Sequence, residues 1–148
     1  MTNARLNPNK VADETAIRKW MQTYMDLVKN GEIEKWYNLW DEDVTLLPPN
    51  KPPIHGLSEW KKVVEPGFAQ NNIRHEMTSL EVKTDSNLAY AVWTGFENNT
   101  PKKGGETMRN ENKCMFILRR DSDGSWKGTH AIWSISHPPK GKRSYAYE

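Results

Sequence analysis

The sequence predicts an α+β fold in which three N-terminal helices pack on a curved, mainly antiparallel sheet. Up to about residue 66, apolar side chains recur at the three- and four-residue spacing of amphipathic helices. From residue 73 onward they alternate with a period of two, over four segments that are long enough to be strands. Helices followed by a run of strands are typical of folds that gather the helices on one sheet face.

The helices are predicted from apolar spacing and from residues that start or stop a helix. The first is expected from the N-cap Asp13 to Gly31, with an apolar face of Ile17, Trp20, Met21, Tyr24, Leu27 and Val28. The second repeats this spacing with Ile33, Trp36, Tyr37 and Trp40. The third is expected over residues 59–64, after the cap Ser58 and before Pro66-Gly67. Between the last two, residues 44–47 are predicted as a short strand and residues 48–56 as a loop.

Long strands are expected over residues 73–85, 88–98, 107–120 and 125–136, with turns at residues 86–87 and 121–124. In the second of them, one face carries Leu88, Tyr90, Val92 and Phe96, and the other carries Ala89, Ala91, Trp93, Gly95 and Glu97. In the last, one face carries Trp126, His130 and Ile132, and the other carries Thr129, Ala131, Trp133 and Ile135. Because both faces are apolar, we expect a pocket under the helices on one face and a homodimer contact on the other, convex face.

Size and composition restrict the class of protein. A chain of 148 residues is expected to form one domain, over residues 13–137, with a flexible leader at 1–12 and a flexible basic tail at 138–148. A net charge of +2 without a basic stripe argues against a nucleic-acid partner, and no apolar run approaches the length of a membrane span. The single cysteine, Cys114, indicates a reducing compartment, so we expect a cytoplasmic protein. Neither metal-ligand spacing nor a phosphate- or dinucleotide-binding motif is present, so no metal or cofactor is expected.

One stretch of the chain resembles a known family. It contains Trp20-Met21-Gln22-Thr23-Tyr24, then Asn30-Gly31-Glu32-Ile33-Glu34, Trp40-Asp41-Glu42-Asp43-Val44-Thr45 and Pro52-Pro53-Ile54-His55-Gly56. This order and spacing resemble the bacterial ketosteroid isomerases, and residues 121–124 followed by 131–134 are similar to their last turn and strand. The chain is thus similar to the nuclear transport factor 2-like (cystatin-like) superfamily, which also holds SnoaL-like polyketide cyclases. The resemblance implies a cone-shaped α+β barrel with a pocket, but this fold hosts isomerases, dehydratases, cyclases, epoxide hydrolases and association domains.

The catalytic groups of ketosteroid isomerase carry over only in part. There, an aspartate moves the proton, while a tyrosine and a protonated aspartate stabilise the oxyanion. On this chain, the tyrosine falls on Tyr24, the base on Pro48 and the protonated aspartate on Phe116. Proline and phenylalanine cannot exchange a proton, so the resemblance implies a pocket without the acids of the isomerase.

Three side chains are candidates for catalysis in that pocket. Tyr24 can donate a hydrogen bond to a carbonyl oxygen as a neutral phenol. Glu97 is the only acid on the predicted inner face, and His55 follows the proline loop near the expected entrance, so either could be the base. The substrate-binding residues are expected to be Trp20, Tyr37, Trp40, Trp93, Cys114, Phe116, Ala131 and Trp133. Each candidate also has a structural interpretation. Tyr24 could be a core tyrosine, Glu97 an acid exposed at the pocket mouth and His55 a histidine that fixes the loop. Cys114 could be an inert thiol, and the aromatic side chains could simply fill the core. His75, at the start of a strand, is left open.

Two functions follow from these residues. The first is an enzyme of the isomerase, dehydratase or cyclase type, which acts on a small hydrophobic metabolite by proton transfer without a cofactor. The second is a non-catalytic domain that binds a small ligand or serves dimerisation or association. A cavity filled by its own side chains would favour association.

Overall fold

The computed structural model describes residues 8–136 and confirms the predicted α+β class. The helices are α1 (Pro8–Lys29), α2 (Ile33–Tyr37) and α3 (Leu57–Gln70). The strands are β1 (Trp40–Leu47), β2 (Ile54–His55), β3 (Asn71–Asp85), β4 (Leu88–Pro101), β5 (Met108–Arg120) and β6 (Trp126–Ile135). The predicted basic tail at 138–148 and the first part of the predicted leader lie outside the described residues.

The six strands form one curved, unclosed sheet in the order β2-β1-β6-β5-β4-β3. Every neighbouring pair is antiparallel except β1 and β6, which run parallel. The inner face of the sheet carries the buried side chains of β4 and β5, and the helices cover it. These buried inner residues include Ala91, Trp93, Cys114, Phe116 and Leu118, as predicted.

The first helix begins earlier than predicted. It includes residues 8–12, and Pro8 stands in its first turn, where a proline has no helical hydrogen bond to lose. Asp13 therefore lies inside the helix and does not cap it. Its carboxylate accepts a hydrogen bond from Arg120 Nη2 instead, which ties α1 to the end of β5.

The segments around β1 also differ from the prediction. Trp40 does not extend α2 but begins β1, where it pairs with Gly128 of β6. The predicted proline loop contains the two-residue strand β2, which pairs with β1. Helix α3 runs through Pro66 to Gln70, and in its last turns the Phe68 ring packs against that of Trp36, with the centroids 5.6 Å apart.

Two β-bulges change the faces that simple alternation predicts. In β3, Thr78 is the extra residue, since Met77 pairs with Gly95 and Ser79 with Thr94. In β6, Thr129 is the extra residue, since Gly128 pairs with Leu118 and His130 with Ile117. The second bulge overturns two expectations. Trp126 is buried on the inner face instead of lying on the outer face, and Thr129 occupies the bulge, where its hydroxyl donates to the Ile117 carbonyl.

None of the helices within residues 8–136 is both long and apolar enough to cross a membrane.

The backbone contact at Gly95 gives a stability prediction. A Cβ at this position would overlap the Glu76 carbonyl oxygen and come within 3.1 Å of Met77 Cα, two backbone groups that cannot move aside. We expect Gly95→Ala to lower the free energy of unfolding by about 2–3 kcal/mol, as overpacked sites do. Gly67→Ala is the control, because nothing lies within 4 Å of a Cβ there. It lies inside α3 and is expected to be neutral or to stabilise by about 0.5–1 kcal/mol. Urea unfolding measures both, and equal stabilities would contradict this account.

Candidate functional site

A cavity of ≈ 250 Å³ lies between the inner face of the sheet, α1 and α3. Eight aromatic side chains line it: Tyr24, Trp36, Trp40, Trp60, Phe68, Trp93, Phe116 and Trp133. The polar part of the lining consists of Asn71, His75, Glu97, Asn99 and Asn112. A concave, mainly apolar site with a few polar groups is the usual form of a small-molecule site.

Tyr24 is the centre of the aromatic wall. Its ring centroid lies 5.5 Å from that of Phe116, 5.7 Å from His75, 6.0 Å from Trp36 and 6.1 Å from Trp40. Burial raises the pKa of Tyr24 well above its usual value, and the acidic groups of Cys114 and Glu97 raise it further. Within residues 8–136, no group hydrogen-bonds to its hydroxyl. Tyr24 is therefore a protonated, unengaged donor inside the cavity.

His75 and Glu97 form a polar pair in the same wall. They stand directly opposite each other on β3 and β4, and Glu97 Oε2 lies 3.7 Å from His75 Nε2. The His75 side chain is only 8% exposed, whereas that of Glu97 is 28% exposed. The imidazole is thus buried in the wall, and the carboxylate is the more exposed of the two groups.

Asn99 fixes the carboxylate of this pair. Its Nδ2 donates a hydrogen bond of 2.7 Å to Glu97 Oε1. Because an amide nitrogen must face a carboxylate, this bond also fixes the orientation of the Asn99 amide. Both oxygens of Glu97 are thereby directed, one toward Asn99 and the other toward His75.

The protonation states follow from burial. Burial lowers the pKa of His75, and the nearby Glu97 carboxylate opposes this effect only in part. His75 is therefore a neutral imidazole at neutral pH, and its buried Nδ1 has no hydrogen-bond partner among the described residues. Burial likewise raises the pKa of the Cys114 thiol, with a further contribution from Glu97. Cys114 stays protonated in the cavity wall and is not an activated nucleophile.

Most of the side chains predicted for the site line this cavity. They are Tyr24, Trp40, Trp93, Glu97, Cys114, Phe116, Ala131 and Trp133. Glu97 is not at the end of its strand, because β4 continues to Pro101. The cavity is also not filled by the aromatic side chains around it.

Two predicted binding residues lie elsewhere. Trp20 is buried behind the wall, where its ring packs edge-on against Trp40 at 5.4 Å. The Tyr37 hydroxyl donates to Glu65 Oε1 at 3.3 Å, and its ring faces a second, polar cleft with Lys61. Neither side chain lines the aromatic cavity.

His55 also lies outside the cavity. It pairs with Thr45, which in turn pairs with His130 on the exposed outer face of β6. Paired residues point to the same face of a sheet, so His55 is directed away from the pocket. Its Nδ1 lies 3.4 Å from Thr45 Oγ1, and the side chain is exposed.

The sequence interpretation missed part of the polar lining. The sequence assigns no role to His75 and does not single out Asn99, whereas strand alternation puts Asn112 on the inner face without indicating a role for it. The hairpin turn at residues 86–87 is the one signal in the sequence for how β3 and β4 pair, since it puts Asp85 opposite Leu88. If the two strands continued in that register without a bulge, Asn98 would stand opposite His75. The bulge at Thr78 shifts the pairing by one residue and so creates the His75–Glu97 pair.

Within residues 8–136, no three His, Cys, Asp or Glu side chains are grouped so that they could hold a metal ion.

This arrangement of helices on the inner face of one open sheet is the cystatin-like α+β fold. The chain belongs to the SnoaL-like domain family, whose model matches residues 9–131. A comparison of the sequence with curated proteins found no match.

Three solved structures illustrate the similarity. A conserved protein from Planctomyces limnophilus is 22% identical, with a TM-score of 0.77, over 85% of this chain and 99% of that one. A ketosteroid isomerase-like protein from Erwinia carotovora is 20% identical, with a TM-score of 0.72, over 85% and 98%. A candidate dehydratase of the NTF2-like family from Streptomyces avermitilis is 19% identical, with a TM-score of 0.75, over 89% and 100%. At such identities the likeness shows the fold alone.

The buried, neutral His75 gives a pH prediction. Its pKa is lower in the folded than in the unfolded chain, so the unfolded chain takes up a proton first as the pH falls. Folding stability is therefore expected to fall as the pH drops below about 6.5, the ordinary histidine pKa. The His75→Gln variant lacks the titrating imidazole, so it is not expected to show this fall in stability. We expect the urea midpoint to decrease more in the wild type than in His75→Gln between about pH 7.5 and about pH 5, and an equal decrease would contradict a neutral, buried His75.

Proposed function

We propose that this protein is an enzyme of the isomerase, dehydratase or cyclase type that transfers a proton on a small hydrophobic carbonyl compound without a cofactor. The observation that carries the proposal is the His75–Glu97 pair, which lines the same aromatic cavity as Tyr24, with the His75 and Tyr24 ring centroids 5.7 Å apart. A base and an oxyanion donor around one cavity are what proton abstraction next to a carbonyl requires.

In this mechanism, His75 removes the proton. The neutral imidazole takes a proton from the carbon next to the carbonyl group, the electron pair of that bond forms a carbon–carbon double bond, and the π electrons of the carbonyl group move onto its oxygen. Tyr24 donates a hydrogen bond to this oxygen as its negative charge develops. The Glu97 carboxylate stabilises the imidazolium formed, and Asn99 keeps the carboxylate in place. Return of the proton to the same carbon or to another atom of the substrate completes the reaction.

The surroundings support this chemistry. The aromatic side chains give the site an apolar surround, and hydrogen bonds and charges act more strongly in such an environment. The similar structures include a ketosteroid isomerase-like protein and a candidate dehydratase, both of which are named for reactions of this type. The cavity between the helices and the sheet also weakens the alternative of an association domain whose core fills its pocket.

Hydrogen exchange of a simple ketone tests the proposal. We use 1-tetralone, a bicyclic ketone, in deuterated buffer and follow the loss of its α-hydrogens by NMR. The wild type is expected to accelerate the exchange, and His75→Gln and Glu97→Gln to reduce this acceleration by about 100-fold or more. Tyr24→Phe is expected to reduce it by about 100-fold through loss of the oxyanion donor.

His55→Gln is the matched control, since it makes the same substitution at an exposed histidine on the outer face, and it is expected to retain the wild-type rate. Binding of 1-tetralone by the wild type without any acceleration would favour the alternative, a non-catalytic ligand-binding protein. Unchanged rates in His75→Gln and Glu97→Gln would remove these two residues from the mechanism.

The outer face of the sheet supports a homodimer. Its exposed apolar side chains lie next to one another on β4, β5 and β6, because Tyr90 pairs with Ile117 and Met115 pairs with Ile132. Met115 is 44% and Ile132 49% exposed. A contiguous apolar patch of this kind is typical of a protein interface. We propose that a second copy of this chain covers it.

Light scattering measures the assembly directly. The wild type is expected to have twice the 17.2 kDa mass of one chain. Ile132→Glu and Met115→Glu place a charge in the proposed interface and are expected to give the single-chain mass. Val11→Glu is the control, because Val11 is a similarly exposed apolar residue on α1. A wild-type mass close to 17.2 kDa would exclude the dimer.

A further inference from the structure

We propose that His55 and His130 bind one divalent transition-metal ion on the outer face of the sheet. In this site the ion lies over Thr45 and ties the two-residue strand β2 to β6 across β1. The inference goes beyond the proposed function, because the outer face is the side of the sheet opposite the aromatic cavity. The two histidines are distant in sequence, so no motif spacing indicates the site.

The strand order brings the two histidines together. His55 pairs with Thr45, and Thr45 pairs with His130, so the three residues form one row across β2, β1 and β6. Paired residues share a face of the sheet, and both histidines are exposed. Neighbouring strands lie about 4.8 Å apart, so an ion above Thr45 is about 5 Å sideways from the backbone of either histidine. An imidazole with a metal–nitrogen bond of about 2.0 Å spans that distance.

Thr129, the extra residue of the β6 bulge, fixes which nitrogen of His130 is free. Its hydroxyl donates to the Ile117 carbonyl oxygen at 3.2 Å, and its Oγ1 lies 2.9 Å from His130 Nδ1. A hydroxyl group has one hydrogen, which the carbonyl oxygen takes, so Thr129 accepts a hydrogen bond from Nδ1. A neutral imidazole carries one hydrogen, so Nε2 keeps its lone pair. A metal-binding histidine has this arrangement, in which the second ring nitrogen donates to a neighbouring group.

His55 has a threonine hydroxyl beside its ring as well. Its Nδ1 lies 3.4 Å from Thr45 Oγ1, so the ring lies toward β1, the strand between the two histidines. Because the Thr45 hydroxyl can accept a hydrogen bond from Nδ1, the Nε2 atom is available as a ligand. Among residues 8–136, no group hydrogen-bonds to Nε2 of either histidine. Each imidazole therefore has Nδ1 beside a threonine hydroxyl and offers Nε2 to an ion.

The ligand type determines the class of ion. Imidazole nitrogens bind Cu²⁺, Ni²⁺ and Zn²⁺, whereas Ca²⁺ and Mg²⁺ take oxygen ligands. Within the described part of the chain, no third His, Cys, Asp or Glu side chain joins the pair, so water completes the coordination. The unfolded chain does not hold the two histidines together. The ion therefore binds the folded chain in preference and stabilises it.

Titration of the protein with Cu²⁺ tests the site. Isothermal titration calorimetry is expected to show one ion per chain, and the electron paramagnetic resonance spectrum to show two imidazole nitrogens on copper. His55→Gln and His130→Gln each remove one of two ligands and are each expected to lower the affinity by about tenfold or more. His137→Gln is the matched control, since it makes the same substitution at a histidine that does not belong to the row, and it is expected to keep the wild-type affinity.

Thr129→Val tests the threonine beside His130. Valine keeps the shape of the side chain but removes the hydroxyl that accepts from Nδ1. We expect the affinity for Cu²⁺ to fall by about tenfold, as is common when the partner of a metal-bound histidine is removed. An unchanged affinity would overturn this role of Thr129.

Stability provides a second readout. Zn²⁺ is expected to raise the urea midpoint of the wild type, because an ion that binds the folded chain stabilises it, and to leave the midpoint of His130→Gln unchanged. Absence of copper binding, or wild-type affinity in both His55→Gln and His130→Gln, would overturn the site. An equal effect of Zn²⁺ on the wild type and His130→Gln would overturn the tie between β2 and β6.

The Met115→Glu variant separates this inference from the proposed homodimer. It is expected to have the single-chain mass and still bind one Cu²⁺ ion with wild-type affinity, because both ligands lie on one chain. Loss of copper binding in this variant would place a required ligand on a second copy and overturn the site within one chain.

Discussion

The contact between two backbones at Gly95 is the constraint on which the site depends. Here the Glu76 carbonyl group approaches β4 so closely that no side chain fits between the strands. The contact accompanies the bulge at Thr78, which shifts the pairing of β3 with β4 by one residue. Beyond the bulge, His75 faces Glu97 on the inner face. Without it, the hairpin register would place Glu76 opposite Glu97, and two like charges would share the cavity wall.

The same shift determines where the remaining charges lie. Glu76 is directed to the outer face, where Arg109 Nη1 donates to its Oε2 at 2.8 Å. Glu97 is thereby the acid that lines the cavity, beside an imidazole kept neutral by burial. The site contains one carboxylate and one uncharged base, which is easier to bury than two carboxylates. A local irregularity in strand pairing thus determines both the geometry and the charge of the cavity.

The sequence predicts the regular parts of this molecule and misses the irregular ones. Apolar periodicity predicts the helices, the four long strands and the inner face of β4 and β5, because burial requires that spacing. It fails at the bulges, where one extra residue exchanges the faces, and so Trp126 was assigned to the wrong side and His75 had no predicted partner. His55 was misplaced for a related reason, since a two-residue strand was hidden in a proline-rich segment. The expected cytoplasmic location stays a prediction.

The position of the polar groups also explains why likeness of fold does not determine the chemistry. Where the resemblance to ketosteroid isomerase would require acids, this chain has Pro48 and Phe116, and the Phe116 ring packs 5.5 Å from Tyr24. That part of the wall therefore cannot exchange a proton. The titratable groups lie instead on β3 and β4, where the bulge at Thr78 creates the His75–Glu97 pair. The curved sheet supplies a cavity and one tyrosine donor, and the local register of two strands decides which base faces that donor.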